Sequence, residues 1–143
     1  MNIREVMTPN PCTVAPTETI QNAARLMKKE DTGAIPVVEN GKVVGMITDR
    51  DIVIRAVAEG AKPDKLVRDV VIHQRVIFAT PDMSTKEANQ LMGEHQVRRL
   101  PVLDENQKLV GIVSLGDLAV KEGKESRTGE TLENISAGVK RAP

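Results

Sequence analysis

Two four-residue stretches carry a hydroxyl and a carboxylate at the same spacing, and their side chains are the ones best suited to do chemistry. Thr48 to Asp51 reads TDRD, and Ser114 to Asp117 reads SLGD. This spacing suits the start of a helix, because the hydroxyl accepts a backbone N–H and the carboxylate complements the positive end of the helix. The first stretch also contains Arg50, whereas glycine occupies the matching position of the second. The sequence therefore predicts two capped strand-to-helix junctions that differ in charge.

Two adjacent arginines, Arg98 and Arg99, stand just before the Leu-Pro-Val run of a predicted strand. Adjacent arginines are usually exposed to solvent. A guanidinium group can also hold phosphate oxygens in a planar fork. The matching positions before the earlier Ile-Pro-Val run are Gly33 and Ala34. The sequence thus predicts one basic strand start and one neutral strand start.

The elements that position these residues occur twice in the chain. Pro36 and Pro101 are 65 positions apart, whereas Asp51 and Asp117 are 66 positions apart. The difference of one residue falls in a predicted hairpin turn, where a change of length costs little. Self-similarity at such a period indicates two copies of one supersecondary unit. We predict a pseudo-two-fold module with a cleft between its halves.

Each copy is predicted to run strand, helix, strand, strand, helix. Thr19 and Ser84 are suited to be N-caps, because apolar residues follow both at helical spacing. Asn40-Gly41 predicts a type I′ turn between two apolar strands. The predicted fold class is α/β, with two β-α-β-β-α repeats packed as one module. The predicted boundaries are 1–64 for the first repeat, 65–123 for the second, and 124–143 for a mobile polar tail with a short helical turn near Leu132.

Two local predictions concern segments beside these elements. Thr8 to Pro11, TPNP, is predicted to be a turn, because each proline fixes its own φ and restrains the residue before it. Asp51 to Glu59 is predicted to be one continuous amphipathic helix that Gly60 ends.

Composition argues against several classes of protein. Lysine plus arginine equals aspartate plus glutamate, at 20 each, so the chain is poorly suited to track a nucleic-acid backbone. Phe78 is the only aromatic residue, and no aromatic platform could stack a base. No apolar run approaches the ~20 residues of a membrane helix, and the start of the chain lacks a signal-peptide pattern. We expect a cytoplasmic protein without membrane partners.

Metal binding and catalysis are also disfavoured. Cys12, His73 and His95 lie in different predicted elements and lack the spacing of zinc ligands. A single cysteine excludes a disulfide within the chain. No nucleophile, base and orienting residue stand together, and no glycine-rich phosphate loop is present. We therefore expect neither a metal site nor an enzyme.

The two copies resemble a tandem pair of CBS motifs, also called a Bateman module. The match is carried by Gly33 to Val37 with Gly45 to Asp51, and by Arg99 to Val102 with Gly111 to Asp117. The stretch HQVRR, ending at Arg99, is similar to the hypoxic-response type of bacterial stand-alone CBS-pair protein. The resemblance implies a non-enzymatic, energy-sensing regulator that requires no cofactor. It would bind AMP, ADP, ATP or a related adenosyl ligand in the cleft between the repeats, often as a disc-shaped homodimer.

The resemblance also implies roles for the two junctions. Asp51, with Thr48 nearby, would accept hydrogen bonds from both ribose hydroxyls, because a carboxylate offers two acceptor oxygens to a vicinal diol. Ser114 and Asp117 would form the corresponding part of a second site. Arg50 gives the first site a local cation that the second site lacks.

For the rest of the ligand, the resemblance implies a phosphate contact and a base pocket. Arg99, with Arg98, would reach the phosphate of the ligand that Asp51 holds, so that this site would prefer phosphorylated ligands. The adenine would lie among apolar residues: Val14, Ala15, Pro16, Ile35, Pro36, Ala79, Leu100 and Pro101.

The sequence leaves one alternative function open. A chain of this fold could instead be a ligand-free dimeric stress or interaction scaffold. In either case the aliphatic helix surfaces predict symmetric self-association. Two sets of surfaces are candidates, namely the Ala23/Met27 and Ala88/Met92 faces, or the helices that begin near Asp51 and Asp117. The sequence does not specify a downstream protein partner.

Overall fold

Short helices and strands alternate through residues 1–71 and 75–122, the part of the chain that the computed structural model describes, with side chains described as far as residue 120. The elements are α1 Ile3–Val6, β1 Thr8–Pro9, α2 Ile20–Glu30, β2 Ala34–Glu39, β3 Lys42–Thr48, α3 Asp49–Ile52 with a π turn Val53–Val57, a 3-10 turn Val67–Asp69, α4 Thr85–His95, β4 Arg99–Leu103, β5 Leu109–Ser114 and α5 Leu115–Glu122. The predicted tail 124–143, with its helical turn near Leu132, lies outside the described residues.

The chain divides into two compact units. We call them the Asp51 unit, Asn10–Val76 with Gln107–Leu109, and the Asp117 unit, Met1–Pro9 with Ile77–Asn106 and the chain from Val110. The mixture of helices and small sheets confirms the predicted fold class. The boundary prediction of 1–64 and 65–123 refers to the sequence repeats, and the compact units group the chain differently.

The short opening segment of each sequence repeat is packed in the unit that contains the rest of the other repeat. Ile3 of α1 is fully buried in the core of the Asp117 unit, and its N–H donates to the Met83 carbonyl at 2.9 Å. Val67 is fully buried in the core of the Asp51 unit, and its N–H donates to the Glu18 carbonyl at 2.8 Å. Burying such a side chain stabilises the fold by about 1.5–3 kcal/mol. The two opening segments are therefore integral parts of these cores.

The Asp51 unit contains a two-stranded antiparallel sheet of β2 and β3. Asn40 and Gly41 have φ values of 53° and 78°, which agrees with the predicted type I′ turn. A predicted strand before α2 is reduced to a single parallel bridge from Val14 to Val37. Pro16 follows two residues later and cannot donate to a ladder, so the pairing stops there.

The Asp117 unit contains a three-stranded sheet in the order β1-β5-β4. The prediction of a turn at Thr8 to Pro11 is wrong for its first half, because Thr8 and Pro9 pair with Ile112 and Gly111 of β5. A proline is tolerated on an edge strand, where its missing N–H can face away from the ladder. The chain turns at Asn10 instead, whose φ is 50°.

The helix predicted from Asp51 to Glu59 is present, but it begins earlier and is not α-helical throughout. α3 begins at Asp49, and from Val53 its hydrogen bonds reach one residue further, as in the 2.8 Å bond from the Ala58 N–H to the Val53 carbonyl. Val53, Ile54 and Val57 are β-branched, and such side chains crowd a regular α-helix. This explains why the helix widens here before it ends near Gly60, whose φ is 75°.

The capping predictions for α2 and α4 are confirmed. The Thr19 hydroxyl accepts the Asn22 N–H at 3.1 Å, and the Ser84 hydroxyl accepts the Glu87 N–H at 3.1 Å. The suggested self-association faces of these helices are wrong, because all four residues are buried in the cores: Ala23, Met27, Ala88 and Met92. Among the described residues, none of the helices has the length and apolar character needed to cross a membrane.

Candidate functional site

The junction between β3 and α3 is a reciprocal capping box. The Thr48 N–H donates to Asp51 Oδ2 at 2.9 Å, and the Asp51 N–H donates to Thr48 Oγ1 at 3.1 Å. This confirms the predicted cap, which typically stabilises a helix by about 1 kcal/mol. The Asp51 side chain remains 22% exposed, so a ligand can still reach the carboxylate.

The second oxygen of the Asp51 carboxylate faces an arginine on the next helical turn. Arg55 Nε lies 3.4 Å from Asp51 Oδ1, and 43% of the Arg55 side chain is exposed. Sequence reasoning missed this residue, although a spacing of four residues on a helix brings opposite charges together. Both oxygens of the carboxylate therefore have a partner in the protein, one in the backbone and one in a displaceable side chain.

Asp49 occupies space that a glycine leaves at the start of β2. The Asp49 N–H donates to the Gly33 carbonyl at 3.0 Å, and Asp49 Oδ1 accepts the Arg50 N–H at 2.8 Å. A Cβ atom placed on Gly33 would lie 3.0 Å from Asp49 Oδ2. Gly33 thus keeps room for the Asp49 carboxylate, while Arg50 is exposed.

The junction between β5 and α5 repeats the backbone geometry. The Ser114 N–H donates to Asp117 Oδ2 at 2.9 Å, and the Asp117 N–H donates to Ser114 Oγ at 3.0 Å. The Leu115 N–H donates to the Arg98 carbonyl at 2.9 Å, just as Asp49 does to Gly33. Leu115 is buried, however, so a core side chain replaces the Asp49 carboxylate at this junction.

The predicted base-pocket residues are divided between the two units. In the Asp51 unit, Val14, Ile35 and Pro36 are buried, while Ala15 and Pro16 are half-buried. In the Asp117 unit the members are all buried: Ala79, Leu100 and Pro101. Most of these residues therefore serve as core, and their contact with an adenine stays a prediction.

The two predicted phosphate residues lie at the start of β4. Arg98 is exposed and Arg99 is half-buried. Both belong to the Asp117 unit, whereas Asp51 belongs to the other unit. A joint role for Arg99 and Asp51 stays a prediction. The side chains brought together within the Asp51 unit are those of Thr48, Asp51 and Arg55.

Beside the β3–α3 junction, α3 and the π turn carry exposed apolar side chains. A cavity of about 320 Å³ is lined by Asp49, Arg50, Val53 and Ile54. Val53 is 57% exposed and Val57 is 63% exposed. On α5 of the other unit, Val120 is 80% exposed. These helices therefore offer apolar surface next to the polar junctions.

A metal site finds no support in the part of the chain that the structure describes. Within residues 1–71 and 75–122, no group of three or more histidine, cysteine or acidic side chains could hold an ion. Burial raises the pKa of the Cys12 thiol, and the charge of Glu30 raises it further. Cys12 is therefore poorly disposed to become the thiolate that a metal requires. His73 lies outside the described residues.

Comparisons with known proteins give a consistent family assignment. A family model described as CBS domain matches residues 3–57 and 67–121. The CBS domain-containing protein YhcV of Bacillus subtilis (strain 168) is 47% identical over 135 residues, which cover 94% of this chain and 95% of YhcV.

Two solved structures resemble the fold. The crystal structure of Hypoxic Response Protein I with two coordinated zinc ions has a TM-score of 0.75 at 36% identity, covering 83% of this chain and 97% of that chain. The CBS domain pair of protein MJ0100, in complex with 5′-methylthioadenosine and S-adenosyl-L-methionine, has a TM-score of 0.77 at 27% identity and covers 86% of this chain and 96% of that chain. Two matched copies and a relative of 47% identity lead to one conclusion: the chain belongs to the CBS-domain family and contains two copies of the domain in tandem.

Proposed function

We propose that this protein is a non-enzymatic regulatory module that binds an adenosine nucleotide or a related adenosyl ligand and needs no cofactor. The observation that supports this most directly is the β3–α3 junction, where a partly exposed carboxylate is held in a fixed orientation by the Thr48 backbone. A similar CBS pair, that of MJ0100, was crystallised with two adenosyl ligands. The family relation and the junction geometry point in the same direction.

In this proposal Asp51 binds the ribose. Its Oδ2 is oriented by the 2.9 Å bond from the Thr48 N–H, so the carboxylate loses little freedom when a ligand arrives. The two ribose hydroxyls can then donate to the two carboxylate oxygens. Arg55 is the only described ion-pair partner of Asp51, and at 43% exposure its guanidinium can move aside at little cost.

Phosphate recognition is assigned to Arg99, assisted by Arg98 and Arg50. Arg99 is the half-buried member of this group, and a partly desolvated guanidinium holds a phosphate more strongly than an exposed one. Asp117 would serve a second and weaker ribose site, because Gly116 stands where the first junction has Arg50.

Regulation would follow from linkage. A ligand that binds one conformation of the module more tightly shifts the population toward it by the difference in binding free energy. The exposed valines of the π turn and of α5 would carry self-association. Sedimentation of wild type and Val57→Glu tests this: we expect a dimer that the variant dissociates, with Ala24→Glu on the exposed side of α2 as control.

Calorimetry tests the ligand proposal. The full chain is titrated with adenosine, AMP, ADP, ATP, NAD and S-adenosylmethionine, after native mass spectrometry has shown whether a small molecule is retained from the cell. Saturable binding of one member, weakened by Asp51→Ala, is the expected result. Binding of none would favour the alternative, a ligand-free scaffold, for which the exposed apolar surface of the π turn Val53–Val57 is the supporting observation.

A further inference from the structure

The Asp51 unit contains a second cavity, of about 470 Å³, whose lining shares Pro16 alone with the predicted base pocket. It lies at the turn end of the β2–β3 hairpin, because Glu39 in its wall pairs with Lys42, whereas Thr48 pairs with Ala34 at the other end. Its lining residues are Pro16, Thr17, Val37, Glu39, Val44, Arg68, Asp69 and Val71. The volume falls within the range of small-molecule sites in proteins.

The cavity has an apolar floor and a charged rim. Val37 and Val71 are buried and Val44 is half-buried, so three aliphatic side chains form a surface for an apolar group. Arg68 is an exposed residue of the 3-10 turn, and the turn's backbone is held by a 3.0 Å bond from the Arg68 N–H to the Pro16 carbonyl. The turn therefore presents its guanidinium from a fixed backbone position.

The matching place in the Asp117 unit is occupied by a side-chain pair. When Pro16 is aligned with Pro81, Asp82 corresponds to Thr17. When the opening segments of the two repeats are aligned, Arg4 of the first repeat corresponds to Arg68 of the second repeat. Arg4 Nη1 lies 2.8 Å from Asp82 Oδ1. Threonine offers no charge, and Arg68 has no ion pair with any other described residue. Within the described part of the chain, the Arg4 guanidinium thus has a carboxylate partner and the Arg68 guanidinium has none.

The neighbouring apolar residue also differs. Met7 lies against Gly111, where an added Cβ would be 2.5 Å from Met7 Sδ. Val71 lies against Gly45 in the same way: a Cβ added to Gly45 would be 2.8 Å from Val71 Cγ1. Valine is shorter than methionine, so the Asp51 unit keeps space that the longer side chain takes up in the other unit.

The charges of the rim select the class of ligand. Glu39 and Asp69 are exposed acids on the same cavity as Arg68, and neither has an ion pair among the residues the structure describes. A simple anion would be attracted by Arg68 and repelled by the two carboxylates. A simple cation would be attracted by the two carboxylates and repelled by Arg68. A zwitterion with an apolar body satisfies both signs and the valine floor.

We propose that this cavity binds an amphipathic zwitterion of the α-amino acid class. Its carboxylate would pair with Arg68 in a fork, its ammonium would donate to Glu39 or Asp69, and its aliphatic side chain would rest on Val37, Val44 and Val71. Occupancy would tie the 3-10 turn, which opens the second sequence repeat, to the hairpin of the first. The site uses none of the residues assigned to the ribose or the phosphate, and it shares Pro16 with the predicted base pocket.

Three probes with the same apolar body test the charge requirement: L-leucine, L-leucinamide and 4-methylpentanoate. Amide chemical shifts of the full chain are followed in each titration. We expect leucine to bind about tenfold more tightly than either singly charged analogue, because each loses one charge-assisted bond. Equal binding of the three probes, or no shift with leucine near Thr17, Glu39 and Arg68, would overturn the proposal.

Variants test the location by exchanging the two units' side chains. Thr17→Asp should give Arg68 an ion-pair partner like that of Arg4 and weaken leucine binding by about tenfold. Arg68→Gln should weaken leucine binding by a similar factor, because it removes the positive charge. Asp82→Thr is the matched control in the other unit, and Asp51→Ala is the control for the nucleotide site; both should leave leucine binding unchanged. If Asp82→Thr or Asp51→Ala weakens leucine as much as Thr17→Asp does, the assignment is incorrect.

Discussion

The Asp51 and Asp117 units have the same backbone at their strand-to-helix junctions but different charges around it. Each junction has two reciprocal hydrogen bonds between a hydroxyl residue and an aspartate, and corresponding bonds of the two junctions differ in length by no more than 0.1 Å. Around this shared frame, one unit has Asp49, Arg50 and Arg55, whereas the other buries Leu115. What is repeated holds the fold together, and what differs is where binding selectivity should be sought.

Removing the two carboxylates one at a time gives the largest expected effect on binding. Asp51→Ala should weaken an adenosine ligand by about 100-fold, since two hydrogen bonds to a charged oxygen are lost. Asp117→Ala should weaken the same ligand far less. Calorimetry measures both. Chemical denaturation should show a loss of about 1 kcal/mol of stability in each variant, because each removes the carboxylate half of a capping box. The loss in Asp51→Ala should be larger by the Arg55 ion pair, about 0.3–0.5 kcal/mol. Equal effects on ligand affinity would mean that the two junctions are functionally alike.

The next comparison concerns two strand glycines. Gly111→Ala should lower the free energy of unfolding by about 1–3 kcal/mol, because the new Cβ would meet both Met7 Sδ at 2.5 Å and the Thr8 carbonyl oxygen at 3.0 Å. Gly45→Ala should cost less, since the atom it meets within 4 Å is a side-chain carbon of Val71. Gly93→Ala, on α4 with nothing within 4 Å, is the control and should be stabilising. Urea denaturation ranks the three, and a larger loss at Gly45 would contradict the expectation.

A smaller effect is expected from the arginines at the start of β4. Arg99→Ala should weaken AMP by about tenfold through the lost charge-assisted bond to phosphate, yet leave adenosine unchanged. Arg98→Ala should have less effect, because Arg98 is exposed whereas Arg99 is half-buried. Parallel titrations with adenosine and AMP make the comparison. Equal losses for the two ligands in Arg99→Ala would exclude a phosphate contact.

The smallest effect is expected from removing the Arg55–Asp51 ion pair. Among the described side chains, the β3–α3 junction has such a pair and the β5–α5 junction does not. Arg55→Ala should cost about 0.3–0.5 kcal/mol of stability, as expected for an exposed pair four residues apart on a helix. It should also raise the affinity for adenosine slightly, because Asp51 Oδ1 no longer needs to release a guanidinium. Arg25→Ala, an exposed arginine on α2, is the control. Weaker adenosine binding in Arg55→Ala would mean that Arg55 orients the carboxylate rather than competing for it.

Local spacing in the sequence was enough to predict the parts of the site that lie close together in the chain. The capping boxes at Thr48 and Ser114 and the turn at Asn40-Gly41 depend on residues within three positions of each other, so side-chain chemistry decides them. The repeat itself predicted the fold class. Arg55 was equally local and could have been found from its spacing to Asp51. The widening of the helix at Val53 was not predicted, because residue spacing does not reveal how β-branched side chains crowd one another.

The sequence by itself determined the two copies, their caps and their turns, since these follow from interactions between neighbouring residues. Only the tertiary structure decided that Thr8 and Pro9 form an edge strand and that Arg4 pairs with Asp82, 78 positions away. It also decided that α1 packs in the core of the Asp117 unit and that the Val67 turn packs in the core of the Asp51 unit. Contacts of that length depend on how whole elements pack, and a pattern of residues along the chain does not contain them. The difference between Arg4, which has an ion-pair partner, and Arg68, which has none among the described residues, arises at this level.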